Sequence, residues 1–512
     1  MKQRLIPVAC LLALTAVCAL AACTAQDERE TTAEPETTTA EETVTETVAE
    51  TDTTAETEQE SESESMTEAE TTTNLDSPVF FVSMKGEERP SFVVMYDHEG
   101  DPSASSIAND IVRRAHNVLG TTLRVMDAAN QSNVRDKEIV IGSATREETV
   151  RMTAELKDGE YAIDTLVDEN AGVYKVFIAY KGHFAAQRAV MTFLEECMSE
   201  DGLAVPFNYQ RRGSVNTSVT PMIETNIDCL RDPCIVIVDG VYYAYGTGWV
   251  CYKNTSGHLD GAWEFVGKVA ENPPTDLGTD HWAPEVHVYN GAYYMFTTYI
   301  STDIGHHGCT ILRSESPEGP FVEITNGVIT PRDWDAIDGT LYVDPDGQPW
   351  MVFVREWVSA PNNVGTFAAA KLSEDLTHFI SEPFELFSAD EPHWNKNVGL
   401  SITDGCWLYT TAEGKLLCLW SNFNADGYVV AIAESSNGRL DGQWSHQTNL
   451  LYCKAYTGVY DGGHGMIFTD TDGQKYLSFH SPNAAVGSRL EKPVFIPLTE
   501  RNGKLTWSIF AE

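Results

Sequence analysis

The segment DGTLYVDPDGQPWMVFVRE, from Asp338 to Glu356, contains the pattern that decides the fold. An acidic residue opens an apolar strand, a turn follows, and an aromatic-rich strand returns. Asp346-Gly347 is a residue pair typical of a type I′ hairpin turn. Four further copies are DPCIVIVDGVYYAYGT from Asp232, APEVHVYNGAYYMFTTY from Ala283, DGCWLYTTAEGKLLCLWSNF from Asp404 and HGMIFTDTDGQKYLSFHSP from His464. A hairpin that recurs every ~50–65 residues is typical of propeller blades.

A second repeat lies between the copies of the first. Its members are KNTSGHLDGAWEF from Lys253, LRSESPEGPFVEI from Leu312, AKLSEDLTHFISE from Ala370 and IAESSNGRLDGQW from Ile432. Each predicts the outer edge of a blade, so that inner and outer hairpins together form four strands. The helical period is absent from this region, and we therefore predict an all-β, five-bladed propeller over residues 214–512.

Residues 78–212 have a different pattern, in which short apolar strands alternate with helical spacing. SFVVMYD from Ser91, TLRVMD from Thr122 and EIVIGSA from Glu138 are predicted strands. One helix is predicted between the first two strands, and two more over residues 147–157 and 184–198. This region is expected to form a small α/β accessory domain ahead of the propeller.

The N-terminus has the pattern of a targeting segment rather than of a folded domain. Residues 1–22 combine Lys2 and Arg4 with an apolar run, as in a signal peptide. The following Cys23 completes a sequence that resembles a bacterial lipobox, in which this cysteine is lipidated. Residues 23–76 are rich in Thr, Glu, Ser and Ala, which predicts a disordered tether. We therefore expect a protein that is lipid-anchored on the extracellular face of the bacterial cell membrane.

The charge of the chain argues against several classes of partner. The formal net charge is −42, and the tether contributes 18 acidic residues against Arg29 alone. An acidic protein of this kind repels nucleic acid and anionic membrane surfaces. We expect no nucleic-acid partner, membrane contact only through the lipid anchor, and a monomer. The eight cysteines after Cys23 show no metal-binding spacing and are expected mostly as buried thiols.

The residues that open the five repeats are the candidates for chemistry. In a propeller the first strand of each blade lines the central channel, so its opening residues meet at one mouth. These residues are Asp232, Glu285, Asp338, Asp404 and His464. Carboxylates that share a pocket acquire different pKa values, which is the arrangement that glycoside hydrolysis uses. A lone aspartate at such a place more often caps a strand end, but the recurrence at equivalent blade positions favours a functional site.

Several motifs resemble those of glycoside hydrolase family 43. They are RDP at residues 231–233, HWAPEVH at 281–287, AIDGTLYVDPDG at 336–347, TDG at 403–405, LCLWSNF at 417–423 and GGHGM at 462–466. The resemblance covers residues 224–512 and every blade. It implies a five-bladed propeller that acts on arabinose- and xylose-containing glycans with inversion at the anomeric carbon.

The resemblance also implies a role for each matching carboxylate. Asp232 matches the general base, and Asp338 matches the aspartate that orients the acid and modulates its pKa. Asp404 stands where the family usually has a glutamate as general acid, and Cys406 stands where Pro usually follows the glycine. Glu356 and Glu285 are the alternative acids.

Further residues are expected to bind the substrate or an ion. Trp282, Glu285 and Trp249 are the predicted substrate-binding residues, since aromatic side chains stack on sugar faces. His464 matches a channel histidine that in many family members contacts a water or a calcium ion, so that a metal is reached through water. No cofactor is required, and Ca²⁺ in the channel is the one ion that the resemblance leaves open.

The function predicted from the sequence is that of a glycosidase. It releases arabinofuranosyl or xylosyl units from plant cell-wall polysaccharide or oligosaccharide. One alternative is a catalytically silent, glycan-binding surface lipoprotein, which the shorter acid at Asp404 favours. A propeller glycosidase that acts on galactan or fructan is the other alternative.

Overall fold

The computed structural model describes residues 77–97, 101, 104–128, 134–142, 146–271, 278–395, 401–484 and 490–511. The predicted signal peptide, Cys23 and the predicted tether lie outside the described residues. Within the described ranges, no helix combines the length and apolar character needed to cross a membrane.

The N-terminal part is an α/β domain, as the alternation of strands and helices predicts. Its strands are β1 (Val79–Met84), β2 (Val93–Tyr96), β3 (Arg124–Asp127), β4 (Lys137–Ile141), β5 (Glu160–Asp168), β6 (Val173–Tyr180), β7 (Gly202–Pro206) and β8 (Gln210–Ser214). Its helices are α1 (Ala104–Leu119), α2 (Glu147–Glu155) and α3 (His183–Cys197). The sheet order is β3-β2-β4-β6-β5-β8, and β1 pairs with β7 in a separate two-stranded antiparallel sheet. Strand β8 extends to Ser214, so the sheet continues two residues beyond the predicted boundary at 212.

The rest of the chain forms five four-stranded blades, which confirms the predicted propeller. Blade 1 contains β10 (Cys234–Val238), β11 (Val241–Gly246), β12 (Val250–Asn254) and β13 (Glu264–Lys268). Blade 2 contains β14 (Thr279–Tyr289), β15 (Ala292–Ile300), β16 (His307–Ser314) and β17 (Val322–Glu323). Blade 3 contains β18 (Ala336–Val343), β19 (Pro349–Arg355), β20 (Thr366–Lys371) and β21 (Phe384–Ser388).

Blades 4 and 5 complete the ring. Blade 4 contains β22 (Asp404–Thr410), β23 (Leu416–Asn424), β24 (Gly427–Ser435) and β25 (Trp444–His446). Blade 5 contains β26 (Gly463–Thr469), β27 (Lys475–Ser481), β28 (Lys492–Arg501) and β29 (Lys504–Trp507). Helix α4 (Lys454–Thr457) and 3₁₀ turns at Pro361–Asn363 and His393–Asn395 lie in the connections, and a 3₁₀ turn at Ser508–Phe510 follows the last strand.

The ring is closed by a strand that precedes the first blade. Strand β9 (Ile223–Glu224) pairs with β28 of blade 5, with Phe495 opposite Ile223. Backbone hydrogen bonds thus join the start of the propeller to its last blade. This closure holds the five strand starts around one axis.

The core contains the aromatic and aliphatic residues of the repeats. Trp263 and Phe321, which the outer repeats place at matching positions, are 5% and 1% exposed. Met191 of α3 packs into the same apolar cluster as Trp420 and Trp507 of blades 4 and 5. The α/β domain has its own apolar core, and Met191 joins it to the core of the propeller. Of the eight cysteines after Cys23, all but Cys229 are buried.

Candidate active site

A β-bulge at the start of the inner strands decides which residues reach the mouth of the channel. Near the start of each inner strand, a residue with a left-handed backbone lies at the corresponding position: Asp232 (φ 55°), Ala283 (φ 39°), Asp338 (φ 55°), Gly405 (φ 50°) and His464 (φ 56°). The strand register shifts at this point in blades 2 to 5. Such a bulge re-aims the side chain at the start of a strand.

This register refines the predicted convergence. Asp232, Asp338 and His464 occupy the same position of the bulge in their blades. Asp404 lies one residue before that position, and Glu285 lies two residues after it. The five residues thus gather at one end of the channel, but at three different depths.

Hydrogen bonds between neighbouring blades hold four of these left-handed residues. The N–H of Ala283 donates to Thr247 Oγ1 at 3.1 Å, that of Asp338 to Thr298 Oγ1 at 2.9 Å, that of His464 to Ser421 Oγ at 2.8 Å, and that of Asp232 to His480 Nδ1 at 3.3 Å. Each acceptor lies near the end of the second strand of the preceding blade. The repeated contact sets the spacing between the strand starts.

Blade 3 departs from this rule, and the departure orients a carboxylate. The corresponding position holds Val354, which offers no acceptor, opposite Ile337. The N–H of Gly405 donates instead to Asp338 Oδ2 at 2.7 Å. A Cβ at Gly405 would lie 2.9 Å from the ring of His464, so glycine is required for this approach.

Asp232 is an ionised carboxylate among cationic and hydrogen-bonding groups. It is 7% exposed and accepts a 2.6 Å hydrogen bond from Thr247 Oγ1. His480 Nδ1, His464 Nδ1 and Arg231 Nε lie 3.3, 3.4 and 3.7 Å from Oδ1. Burial raises the pKa of Asp232, but His464, His480 and Arg231 outweigh burial and hold it below its usual range. A carboxylate in this state can accept a proton from water.

His464 connects Asp232 with Asp338. Its Nδ1 lies 3.4 Å from Asp232 Oδ1 and 3.8 Å from Asp338 Oδ2. Burial lowers the pKa of His464, but these two carboxylates raise it above its ordinary value. The pKa of Asp338 is raised, chiefly by burial, against the effect of His464 and of the Gly405 N–H.

The pKa of Asp404 is shifted in the opposite direction to that of Asp232. It is half-buried, and its Oδ2 accepts a 3.0 Å hydrogen bond from the hydroxyl of Tyr428. Burial and the neighbouring Asp338 carboxyl raise the pKa of Asp404 to about 7. Its carboxyl group therefore holds a proton near neutral pH, which is the property of a general acid.

Cys406 fills the place where a proline was expected from the family pattern. It is fully buried, and its thiol donates to the backbone oxygen of Asp338 at 3.0 Å. The thiol thus joins the turn after Asp404 to blade 3. The conformation of this turn is held by side-chain contact instead of by a proline ring.

Glu356, one of the alternative acids, belongs to a separate cluster. His307 Nδ1 lies 3.0 Å from Asp335 Oδ1 and 3.4 Å from Glu356 Oε2. Burial lowers the pKa of His307, but the two carboxylates raise it to about 9. The pKa of Glu356 is raised, chiefly by burial, and the hydrogen bond from His307 opposes the rise. The imidazolium lies between both carboxylates, as in an ion-pair network, while its buried Nε2 has no hydrogen-bond partner among the described residues.

Glu285 is placed less well for proton donation. It is 5% exposed, lies two residues beyond the bulge, and its Oε2 is 3.5 Å from His287 Nε2. Its charge acts on the buried thiols of Cys406 and Cys418. These neighbours place it inside the channel rather than at its mouth.

The two tryptophans predicted to bind substrate differ in exposure. Trp282 is half-buried, and its ring lies tilted against that of His307 with centroids 4.3 Å apart, so part of its surface is exposed. Trp249 is 0% exposed, and its indole N–H donates to Thr297 Oγ1 at 2.8 Å. The prediction that Trp249 binds substrate is therefore wrong in this fold, because the ring is a core residue with no face open to a sugar.

The channel side chains do not match an all-protein calcium cage. Ca²⁺ takes 6–8 oxygen ligands. Among the described residues, Glu285 Oε2 is a buried carboxylate oxygen without a hydrogen-bond partner, and the adjacent His287 and His464 offer nitrogen. No step of the chemistry is assigned to a metal here.

Tyr428 and His480 were not predicted from the sequence. Both lie outside the opening strands: Tyr428 in the third strand of blade 4 and His480 in the second strand of blade 5. A repeat alignment of the second strands would have indicated His480, since Thr247, Thr298 and Ser421 lie at its equivalents in other blades. Tyr428 has no such sequence signal.

Comparison with known proteins places this site in a family. The model described as Glycosyl hydrolases family 43 matches residues 226–500. The chain is 23% identical over 297 residues to the probable arabinan endo-1,5-alpha-L-arabinosidase A of Emericella nidulans, over 50% of this chain and 84% of that protein. It is 22% identical over 294 residues to the extracellular exo-alpha-(1->5)-L-arabinofuranosidase of Cellvibrio japonicus, over 50% and 80%. The crystal structure of an endo-arabinase from Bacteroides thetaiotaomicron covers 56% of this chain and 100% of its own, with 33% identity and a TM-score of 0.48.

A propeller with an ionised and a protonated carboxyl group at one mouth defines a glycosidase-type site. The family match spans more than half of the chain and all five blades. The protein belongs to glycoside hydrolase family 43 and is a glycosidase.

Proposed function

We propose that this protein is an inverting glycosidase that releases arabinofuranosyl or xylosyl units from plant cell-wall polysaccharide. The observation that carries the proposal is the divergence of two aspartates at one mouth. The pKa of Asp232 is lowered by its cationic neighbours, whereas burial and Asp338 raise that of Asp404 to about 7. Separated pKa values of this kind assign the base and the acid.

The reaction uses each of these groups once. Asp232 accepts a proton from water as the water oxygen bonds to the anomeric carbon. The bond from that carbon to the leaving oxygen breaks, and Asp404 donates its proton to this oxygen. Asp338, held by the Gly405 N–H at 2.7 Å, keeps a carboxyl group beside Asp404 and sustains its raised pKa.

Arabinan is the first substrate to test. The relatives named above carry the descriptions arabinan endo-1,5-alpha-L-arabinosidase and exo-alpha-(1->5)-L-arabinofuranosidase. An open aromatic face at Trp282 beside the acidic site also suits a sugar ring. Xylosyl substrates are the second choice, and galactan and fructan belong in the same panel.

The decisive experiment incubates the full chain with linear arabinan, an aryl α-L-arabinofuranoside and an aryl β-xyloside. Proton NMR recorded in the first minutes identifies the anomer released. We expect an anomer inverted relative to the substrate, and no release by Asp232→Asn. Release of the retained anomer would contradict the inverting mechanism, and release from none of the sugars would contradict the substrate class.

The alternative of a silent glycan-binding protein rests on the side chain of Asp404, one methylene shorter than Glu. It predicts binding to arabinan or xylan without any released sugar. Isothermal titration beside the release assay separates the two functions, because a catalyst converts the glycan during the titration.

We also propose that the protein is held on the outer face of the bacterial membrane by a lipid on Cys23. The support is the lipobox-like sequence ahead of the tether. Metabolic labelling with a fatty acid should label the wild-type chain and not Cys23→Ser. Equal labelling of both chains would remove this proposal.

A further inference from the structure

The α/β domain contacts the propeller at the end where the active site lies. Arg113 Nη1, on α1, lies 2.6 Å from Asp426 Oδ2. Asp426 is in the short turn between β23 and β24 of blade 4. Strand β22 begins at the channel mouth with Asp404, and β23 runs back to the mouth, where its Ser421 pairs with Asp404. The turn that follows β23 is therefore at the same end as Asp404.

The side chain of Arg113 is fixed within its own domain by Asp110. The carboxylate of Asp110, with a side chain that is 0% exposed, bonds to Arg113 and lies 3.1 Å from Arg114 Nε. Arg114 in turn donates to the side chain of Asn449, in the connection after blade 4. One buried carboxylate therefore fixes two arginines, each of which reaches a different connection of the propeller.

Three consecutive residues lead from this ion pair to the general acid. After Asp426, Gly427 packs so closely on Asp461 that a Cβ would lie 2.5 Å from its carboxylate oxygen. The N–H of Tyr428 donates to the same carboxylate at 2.9 Å. The hydroxyl of Tyr428 then donates to Asp404 at 3.0 Å. A displacement of the turn at Asp426 is thus transmitted to the hydroxyl that holds the acid.

Helix α3 and the end of α1 keep the α/β domain in register with blades 4 and 5. His183 Nε2 is 2.8 Å from the backbone oxygen of Tyr456, and Gln187 Nε2 donates to that of Ala455 at 2.6 Å. Asn117 Nδ2 donates to the backbone oxygen of Trp394 at 2.8 Å. Gln187 is fully buried, and His183 and Asn117 are partly buried. A fixed interface is what transmission from Arg113 requires.

We propose that the α/β domain positions the general acid, with Arg113 as the positioning residue that acts through Asp426 and Tyr428. Without this contact Tyr428 and Asp404 lose their alignment with the leaving oxygen. The inference rests on the proposed function, since it assigns a role to the domain in that same reaction. Loss of a purely stabilising contact would lower kcat/KM equally on all substrates. Loss of a contact that positions the general acid should lower kcat/KM most on substrates whose leaving group needs a proton.

The test compares two substrates of the full chain that differ in leaving group. Linear arabinan has a poor leaving group that needs the proton, whereas an aryl arabinofuranoside with an acidic phenol needs it little. We expect Arg113→Met to lower kcat/KM on arabinan about tenfold and on the aryl glycoside less than about threefold, as for a small misplacement of one catalytic group. Arg113→Lys, which can still reach Asp426, should recover most of the loss.

Arg212→Met is the matched control. Arg212 forms an ion pair of 2.7 Å with Asp164 inside the α/β domain. Its loss changes the same residue type in the same domain without a contact to blade 4. Both kcat/KM values should remain within about twofold of wild type.

Asp426→Asn keeps the proposal testable if Arg113→Met does not fold. The Asp426 side chain is 43% exposed, so its substitution leaves the buried cluster at Asp110 unchanged. It should reproduce the unequal loss on the two substrates. Equal losses on both substrates, or no loss in either variant, would overturn the positioning role while wild-type release of sugar upholds the proposed function. A wild-type chain that releases no sugar would overturn both.

Discussion

Asp232 and Asp404 lie on the two blades that flank blade 5, and their surroundings are opposite. Asp232 has His464, His480 and Arg231 within 3.7 Å of one oxygen. Asp404 has the carboxyl of Asp338 as its strongest charged neighbour and one neutral hydroxyl as hydrogen-bond donor. The pKa of the same side chain is therefore lowered on one side of the mouth and raised on the other, which is the basis of the proposed roles of base and acid. The charge of the neighbours, not the residue type, decides the role.

The position within the bulge contributes to this difference. Asp232 has the left-handed backbone, and its N–H is bonded to the neighbouring blade. Asp404 precedes the left-handed residue of its blade, which is Gly405. A shift of one residue along a strand turns the side chain toward another neighbour. Asp404 thereby meets Tyr428 of its own blade rather than the histidines of blade 5.

Asp232→Asn should have the largest effect on activity. An amide cannot accept the proton of water, so kcat should fall by about 10³-fold or more, at the upper end of general base catalysis. The fold should remain, because asparagine preserves the shape of the side chain. Sugar release with a circular dichroism spectrum measures both. An active Asp232→Asn would show that another residue is the base.

Asp404→Asn removes the proton donor and should have the next largest effect. We expect kcat/KM on arabinan to fall about 10²-fold, with a smaller loss on an aryl glycoside whose leaving group needs no proton. Glu356→Gln is the matched control, because it alters the alternative acid in the neighbouring cluster. A larger loss in Glu356→Gln than in Asp404→Asn would exchange their roles.

His464→Gln tests both aspartates at once, because the imidazole of His464 affects the pKa of each. His464 lowers the pKa of Asp232 and also that of Asp404. Without the imidazolium both pKa values rise. The acidic limb of the kcat/KM profile follows protonation of Asp232, and the alkaline limb follows ionisation of Asp404. Both limbs should therefore move to higher pH, and a profile in which only one limb moves would contradict the assignment.

Among these variants, Tyr428→Phe should change the pH profile least, because it acts on one aspartate alone. The hydrogen bond from Tyr428 lowers the pKa of Asp404, so its removal raises that pKa. Asp404 then keeps its proton to higher pH, and the alkaline limb, expected near pH 7, moves upward. The acidic limb should stay in place. A downward shift of the alkaline limb would mean that the tyrosine does not stabilise the ionised acid.

Much of the fold could be predicted from the sequence because every blade contains the same pattern of turn residues and apolar strands. Asp346-Gly347 and its counterparts mark hairpin turns, and alternating apolar residues mark strands with one buried face. The outer repeats place Trp263 and Phe321 at matching positions, and both are buried in the structure. Local pattern was sufficient here since the contacts that form a blade are mostly close in the chain.

The exposure of the tryptophans could not be predicted in the same way. Trp249 and Trp282 both lie near strand ends, and although only Trp282 belongs to the HWAPEVH motif, the strand pattern does not indicate how far each ring is buried. One is enclosed by Thr297 and His281, and the other keeps an open face beside His307. Exposure depends on what packs from neighbouring blades, which a single strand does not encode.

By itself the sequence determined five blades, an α/β domain ahead of them and the carboxylates that open the inner strands. These features follow from short-range periodicity, turn residues and repetition. Only the tertiary structure decided which aspartate is ionised and which holds a proton. That outcome depends on His480 and Arg231 at one aspartate and on Asp338 and Tyr428 at the other, brought together only when the ring closes. Electrostatic interaction acts over a few ångströms in space, whatever the distance along the chain.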